Sequence, residues 1–146
     1  MPANTIVLKG MGHHDEATVF AALSPGMGCN LHLDTTLKLA QEQAAQAEAL
    51  KGGLLIAKED ALQGKTVDDA YAAADVGFYY IPLPGDHVQV LAKTGEDIAL
   101  GDKLIIEGGG SGLFVEAAGT ETKYQVQALE AAGVLAASAL IAVKVL

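Results

Sequence analysis

The sequence predicts a mainly β protein, a small antiparallel β-barrel or sandwich with one or two short helices and an extended N-terminal arm. The 146 residues fit one domain with a modest core. From residue 76 onward, short apolar segments of strand length alternate with turns rich in Gly, Pro and Asp. Several of these segments, such as "HVQVLA", place apolar and polar residues in turn, as a half-buried strand does. This spacing argues against a βαβ fold.

The first 22 residues mix polar and apolar positions without a sustained period. We therefore divide the chain into an extended arm, residues 1–22, with one short strand at 5–8, and a single compact β domain, residues 23–146. The domain opens on "SPGMG", where Pro25 presets φ and Gly26 supplies a positive φ, as in a type II turn. "CNLHLD" then alternates and predicts a strand.

The middle of the chain is ambiguous. Residues 37–51, "LKLAQEQAAQAEALK", are good helix formers, yet "TLKLA" is also suited to pair with "NLHLD". We expect a strand to about Ala40 and then a short helix or an irregular loop. Residues 54–57 predict another strand. In "GKTVDDAY", Thr66 is a candidate cap for one or two helical turns that begin with two aspartates.

The second half predicts six strands and the turns between them. Turns are expected at 84–86 and 93–97, and strands at 76–83, 87–92, 103–107, 113–117, 123–131 and 139–145. Tyr79 and Tyr80 are adjacent on one strand, so one should face the core and the other the surface or an interface.

The glycine cluster at 108–112 raises the question of a phosphate-binding loop. Such a loop needs a strand before it, a helix after it, and a Lys followed by Ser or Thr. Here no Lys follows Gly112, and the next residues, "LFVEA", form a strand pattern. We interpret the cluster as a hairpin turn, in which glycine adopts positive φ without steric cost.

Other candidates for chemistry are weak in sequence. His13, His14, Asp15 and Glu16 match no metal-site spacing, and acidic pairs such as Asp68–Asp69 are typical of turns and caps. Cys29 has no partner for a disulfide and is expected to pack as a small apolar group. We therefore expect no catalytic residue, no metal, no cofactor and no enzymatic activity.

The charge balance restricts the partners. Eighteen acidic residues face nine basic ones, all lysine, for a formal net charge of −9. Binding to nucleic acid depends on cations that displace phosphate counterions, and arginine, which reads bases best, is absent. We expect neither a nucleic-acid partner nor a membrane partner.

Several motifs, taken together, resemble the small head decoration (capsid cement) proteins of tailed bacteriophages. They are "IAKEDALQGKTVDDAYAAADV", "IPLPGDHVQVLAKTGEDIALGDKLIIEGGGSGLFVEA", "VQALEAAG" and "ALIAVKV", in that order, preceded by "NTIVLKG", "DEAT" and "SPGM". The resemblance covers most of the chain, although "AQEQAAQAEALKGG" departs from it. It implies a structural virion protein without an active site. Such a protein binds the outer surface of the head, bridges major capsid protein subunits and stabilises the expanded shell against DNA pressure.

The resemblance also implies partners and a contact segment. The partners are the major capsid protein and the chain itself, as a homotrimer or homodimer on the capsid, after synthesis in the host cytoplasm. In the arm, Thr5, Ile6, Val7 and Leu8 are the candidate capsid-binding residues, because an extended segment can add a strand to an exposed sheet edge.

The alternative is a lipoyl- or biotinyl-like carrier, or another small β-barrel binding domain. "TGEDIALGDKL" looks like the hammerhead turn of carrier domains. Those domains carry the cofactor on a lysine at a hairpin tip, whereas the glycine cluster has none and Lys103 lies within a predicted strand.

Overall fold

The computed structural model describes residues 4–32, 36–39, 54–107, 111–117 and 126–146. The regular structure in these ranges is almost entirely β. Its elements are β1 (Val7–Lys9), β2 (His13–Val19), β3 (Gly28–His32), β4 (Thr36–Leu39), β5 (Leu55–Lys58), a 3₁₀ turn (Ala61–Gln63), β6 (Val76–Ile81), β7 (His87–Ala92), β8 (Asp97–Ile98), β9 (Lys103–Ile106), β10 (Phe114–Glu116), β11 (Val126–Ala128), β12 (Gly133–Val134) and β13 (Ala139–Val145).

Two strand systems make up the fold. The first, which we call the N-terminal barrel, is closed in the order β2-β4-β3-β5-β6. The second is a sheet in the order β1-β7-β10-β9-β11-β13, and an additional pairing of β7 with β13 closes five of its strands into a ring, the C-terminal barrel. The predicted mainly β fold with a small barrel is therefore confirmed.

The C-terminal barrel follows the strands that the sequence predicts. β7 and β13 pair over six consecutive residues, from Ala139 opposite Ala92 to Lys144 opposite His87. β9 and β10 pair as antiparallel neighbours, with Phe114 opposite Ile106, so the glycine cluster joins two hairpin strands. The tip at 108–110 lies outside the described residues. The sequence leaves helix and loop open for 39–51; of these, Leu39 ends β4 and 40–51 lie outside the described residues.

Two predicted turns are confirmed by their hydrogen bonds. In "SPGMG", the N–H of Met27 donates to the carbonyl of Ser24 at 3.2 Å, and Gly26 has φ +92°. In "PGD", the N–H of Asp86 donates to the carbonyl of Leu83 at 3.0 Å. The first turn is buried between the barrels, because the Gly26 carbonyl accepts from the Leu91 N–H of β7 at 2.9 Å.

The buried apolar residues form two clusters, one for each barrel, and β6 serves both. Tyr80 belongs to the larger cluster, together with Phe114 and Ile141, and Tyr79 belongs to the smaller one, with Leu23 and Cys29. The prediction that one of the two tyrosines faces the surface is therefore wrong: Tyr79 is 3% exposed and Tyr80 0%. Alternation places them on opposite faces of β6, and each face is covered by its own core.

The helix predicted to start at Thr66 is absent from the described structure. The Thr66 N–H donates to the Asp69 carboxylate at 2.7 Å, and the Asp68 N–H donates to the Thr66 hydroxyl at 3.3 Å, so the capping contacts form around a turn. The chain then extends, because Tyr71 forms a β-bridge with Leu23. One hydrogen-bonded turn is too little to nucleate a helix against such a tertiary contact.

The segment predicted as an extended arm is built into both strand systems. β1 pairs with β7, and the side chain of Ile6 is fully buried in the larger core. β2 pairs with β6 over six residues, from His13 opposite Ile81 to Thr18 opposite Val76. We expected this segment to extend from the domain. In the structure, its two strands pair with β7 and β6 of the domain.

None of the described helical segments is long and apolar enough to cross a membrane.

Candidate functional site

A buried hydrogen-bonded pair, Tyr80 and Asp86, lies where the two barrels meet the segment between β1 and β2. The Tyr80 hydroxyl donates to Asp86 Oδ2 at 2.6 Å and accepts from the Gly12 N–H at 2.7 Å. The Asp86 carboxylate also accepts from the N–H groups of Leu83 at 2.9 Å and Met11 at 3.2 Å. The carboxylate thereby ties three segments together and is itself well satisfied.

The two glycines of "GMG" permit this close approach. A Cβ on Gly10 would lie 2.2 Å from the Tyr80 hydroxyl, and a Cβ on Gly12 would lie 2.1 Å from the carbonyl oxygen of Ile81. The second neighbour is backbone and cannot rotate away. Glycine is therefore required at position 12 for the connection to cross over Tyr80.

The ionisation of the pair follows from its contacts. Burial raises the pKa of Tyr80, and its hydrogen bond to Asp86 raises it further. Burial also acts to raise the pKa of Asp86, but the donors around its carboxylate, with Tyr80 the strongest, outweigh burial and leave that pKa below its ordinary value. The pair is accordingly a phenol hydrogen-bonded to a carboxylate near neutral pH.

The predicted contact residues Thr5, Ile6, Val7 and Leu8 lie together at the start of the sheet, but only Leu8 is exposed. The Thr5 hydroxyl donates to Glu59 Oε1 at 2.7 Å, and the Ile6 N–H donates to Glu59 Oε2 at 3.0 Å. Glu59 is 6% exposed, so this carboxylate fixes the strand from inside the molecule. Val7 packs on the larger core, whereas Leu8 is 38% exposed.

Four exposed apolar residues lie on the segments that meet at Asp86, and we call them the apolar rim: Leu8, Met11, Leu83 and Leu146. The N–H groups of Met11 and Leu83 bind the Asp86 carboxylate. The Val145 N–H donates to the Asp86 carbonyl at 2.9 Å, which brings Leu146 to the same end of the barrel. Exposed apolar side chains that gather in this way are typical of interaction surfaces.

Sequence reasoning found one member of the rim and missed the rest. Met11 was placed in the arm, Leu83 at the end of the predicted strand 76–83, and Leu146 directly after the predicted strand 139–145, without any reason to group them. The available signal was "PGD" after "GFYYIPL", because an aspartate in a tight turn beside a buried tyrosine is placed to accept its hydroxyl. No pattern in the sequence indicates that residues 10–12 pass over the Tyr80 and Asp86 side chains.

The other candidate residues are not brought together into a site in the described part of the chain. His13, His14, Asp15 and Glu16 are exposed along β2, and no group of three or more potential ligands among the described residues is placed to hold a metal. Cys29 is 1% exposed, as expected, and burial raises the pKa of its thiol.

A cleft of about 290 Å³ lies beside the 3₁₀ turn and contains three aspartates, Asp60, Asp69 and Asp75. Each carboxylate accepts a backbone N–H of its own turn: Gln63 at 3.3 Å, Thr66 at 2.7 Å and Ala72 at 2.8 Å, respectively. These acids hold the local chain conformation, as predicted for the acidic pair at Asp68–Asp69.

The chain was compared with protein families, curated proteins and solved structures. No protein-family model matches the sequence, and no curated protein matches it. Among solved structures, the chain is similar to the crystal structure of the N base of the head fibre protein gp8.5 in bacteriophage phi29, with a TM-score of 0.56. The alignment covers 93% of this chain and 95% of that one at 14% sequence identity. At this level of identity, the similarity shows that the two chains share a fold.

Proposed function

We propose that the chain is a structural protein of a phage virion that decorates the outer surface of the head. In this role it bridges neighbouring major capsid protein subunits and stabilises the expanded shell against the internal pressure of the packaged DNA. The observation that carries the proposal is the fold shared with a phage head fibre base over nearly the whole of both chains. The motif order that resembles head decoration proteins points independently to the same part of a virion.

The structure suits a mechanical role better than a chemical one. Three buried acidic residues accept hydrogen bonds that hold strands and turns in place: Glu59, Asp60 and Asp86. We propose accordingly that the protein is not an enzyme and acts without a cofactor. The alternative, a lipoyl- or biotinyl-like carrier, finds no support in Lys103, which is the first residue of β9 and pairs with Gln127 of β11 instead of standing at a hairpin tip.

The apolar rim is the part of the surface that we assign to the capsid. Leu8 belongs both to the predicted contact segment and to the rim, whereas Thr5 and Ile6 are engaged by Glu59 and β1 is already paired with β7. The contact we propose is therefore made by side chains of the rim, instead of by a newly added strand. Many copies on a closed shell would make such modest contacts collectively strong.

The test uses purified heads of the phage that encodes the chain, expanded and without decoration. The protein should cosediment with these heads, and a particle map should show added density on their outer surface. Leu8→Ser combined with Leu83→Ser should lower occupancy clearly, because apolar contact area is lost. Leu62→Ser combined with Leu100→Ser is the matched control, since both leucines are exposed away from the rim (87% and 69%).

Two results would contradict the proposal. The first is the absence of the protein from purified virions by mass spectrometry, and the second is density on the inner surface of the shell. Self-association as a homotrimer or homodimer is part of the same proposal, and sedimentation of the free and the head-bound protein measures it. A lysine carrying a lipoyl or biotinyl group in the intact mass would favour the carrier alternative.

A further inference from the structure

The apolar rim is bordered by a short row of basic residues. β1 and β13 lie on either side of β7, and the register sets Lys9 opposite His87 and His87 opposite Lys144. Residues directly opposite each other on neighbouring strands share one face of the sheet, so these three side chains stand in a row across about 10 Å. We call them the basic row.

A β-bulge places Lys9 in this row. Val7 pairs with Val88 and Lys9 pairs with His87, so two steps along β1 correspond to one step along β7. Without the extra residue, Lys9 would lie on the same face as Val7, which packs on the core. The bulge instead directs the Lys9 side chain to the outside, in line with His87. Bulges commonly redirect a side chain in this way.

The acidic neighbour of the row in sequence, Asp86, points away from it. Asp86, the residue before His87, is 7% exposed and its carboxylate is directed to Tyr80 inside the molecule. Lys9 is exposed and directly follows the rim residue Leu8, and Lys144 is half-buried and lies two residues before the rim residue Leu146. A chain with nine excess negative charges thus presents an apolar centre bordered by cations at one end.

We propose that the apolar rim and the basic row form one docking surface for an acidic protein surface on the head shell. A partner of that charge repels most of the molecule and attracts this end, so the charge pattern selects one orientation of docking. Nucleic acid is the less suitable polyanion, because three basic residues in a molecule of charge −9 offer few phosphate contacts. The inference rests on the proposed function and adds the chemistry of the partner and the orientation of the contact.

The experiment compares two double variants of equal charge. Lys9→Gln with Lys144→Gln removes the lysines of the row, and Lys58→Gln with Lys65→Gln removes two lysines elsewhere. Both variants change the net charge by the same amount, so any general electrostatic effect cancels between them. Circular dichroism melts confirm that each variant is folded before binding to undecorated heads is measured over a series of salt concentrations.

We expect the row variant to bind heads about tenfold more weakly at low salt and with a flatter salt dependence, whereas the control variant stays within about twofold of the wild type. Equal binding by the two variants, or wild-type binding that does not weaken with salt, would overturn the inference and leave the proposed function standing. A wild-type protein that does not bind heads at all would overturn both.

Two further outcomes assign the row to another partner. Salt-dependent binding of double-stranded DNA that the row variant loses, with head binding unchanged, would make the row a nucleic-acid surface. A loss of self-association in the row variant alone, again with head binding unchanged, would make it an interface between copies. Either result contradicts docking to an acidic shell surface.

Discussion

β2 and β13 are seven-residue strands that are paired alike and buried differently. Each forms six consecutive residue pairs with one neighbour, β2 with β6 and β13 with β7. β13 alternates and buries Ile141, Val143 and Val145, whereas β2 buries only its last residue, Val19. The comparison teaches that a hydrogen-bond ladder and a buried apolar face are separate properties, and that sequence alternation reports only the second.

The largest expected effect concerns the core of the C-terminal barrel. Phe114 is fully buried there, so Phe114→Ala should lower the free energy of unfolding by about 3–5 kcal/mol, through lost apolar burial and the cavity left behind. Phe20, which directly follows β2 and is 59% exposed, gives the control Phe20→Ala with a much smaller loss. Urea denaturation followed by circular dichroism measures both. Equal losses would mean that the two regions do not differ in burial as described.

Ile6 tests whether the segment before β2 belongs to the fold. Because its side chain is 0% exposed within the larger core, Ile6→Ala should cost about 2–4 kcal/mol. Leu8→Ala, two residues along and 38% exposed, should cost far less. The same denaturation experiment distinguishes them, and an Ile6→Ala variant as stable as the wild type would restore the extended arm that the sequence predicts.

Removal of single tyrosine hydroxyl groups compares how much one side-chain hydrogen bond stabilises each barrel. Tyr80→Phe leaves a buried carboxylate without its shortest partner and should cost about 1.5–3 kcal/mol, the range for hydrogen bonds to charged groups. The matched change in the N-terminal barrel is Tyr71→Phe, which removes a 2.6 Å hydrogen bond to the carbonyl of Lys58. That bond is neutral, and its loss should cost about 0.5–1.5 kcal/mol. A larger loss of stability in Tyr71→Phe than in Tyr80→Phe, measured in thermal melts, would contradict this prediction.

The smallest effect is a pH dependence of β2. The ring of His14 lies 4.8 Å from that of Tyr80, and burial, followed by Lys58, holds the pKa of His14 below its ordinary 6.5. The folded protein therefore binds this proton less tightly than the unfolded chain, so stability should fall as pH drops below 6.5. His14→Gln should flatten the melting temperature between about pH 5 and 7. If the melting temperature of His14→Gln depended on pH as that of the wild type does, this prediction would be wrong.

The sequence predicted those elements whose own residues carry the burial pattern. β7, β9, β10 and β13 alternate or are apolar because one face of each packs on a core, and their turns carry Gly, Pro or Asp. β2 escaped prediction because its residues, His13 to Thr18, are half-buried or exposed, and only the partner strand β6 reveals it.

Two further departures depend on contacts that are distant in sequence. The alternation in "HVQVLA" sets Gln89 on the polar face of β7, yet it is 3% exposed, and its side-chain amide donates to the carbonyl of Thr5 at 2.6 Å. A polar residue can be buried once a partner satisfies it, and here the partner lies 84 residues away. The rim around Asp86 was missed for the same reason, since its members come from three separate stretches of the chain, at 8–11, 83 and 146.

The closing pair of β7 and β13 also sets an order of events during synthesis. β7 leaves the ribosome with β8 to β12 still to be made before β13 can close the ring beside it. Until then, one edge of β7 has its ladder groups unpaired and is open to other chains, a known route to aggregation. Barrel closure is consequently a late event, and a nascent chain stalled before residue 139 should need a chaperone or a neighbouring strand to remain soluble.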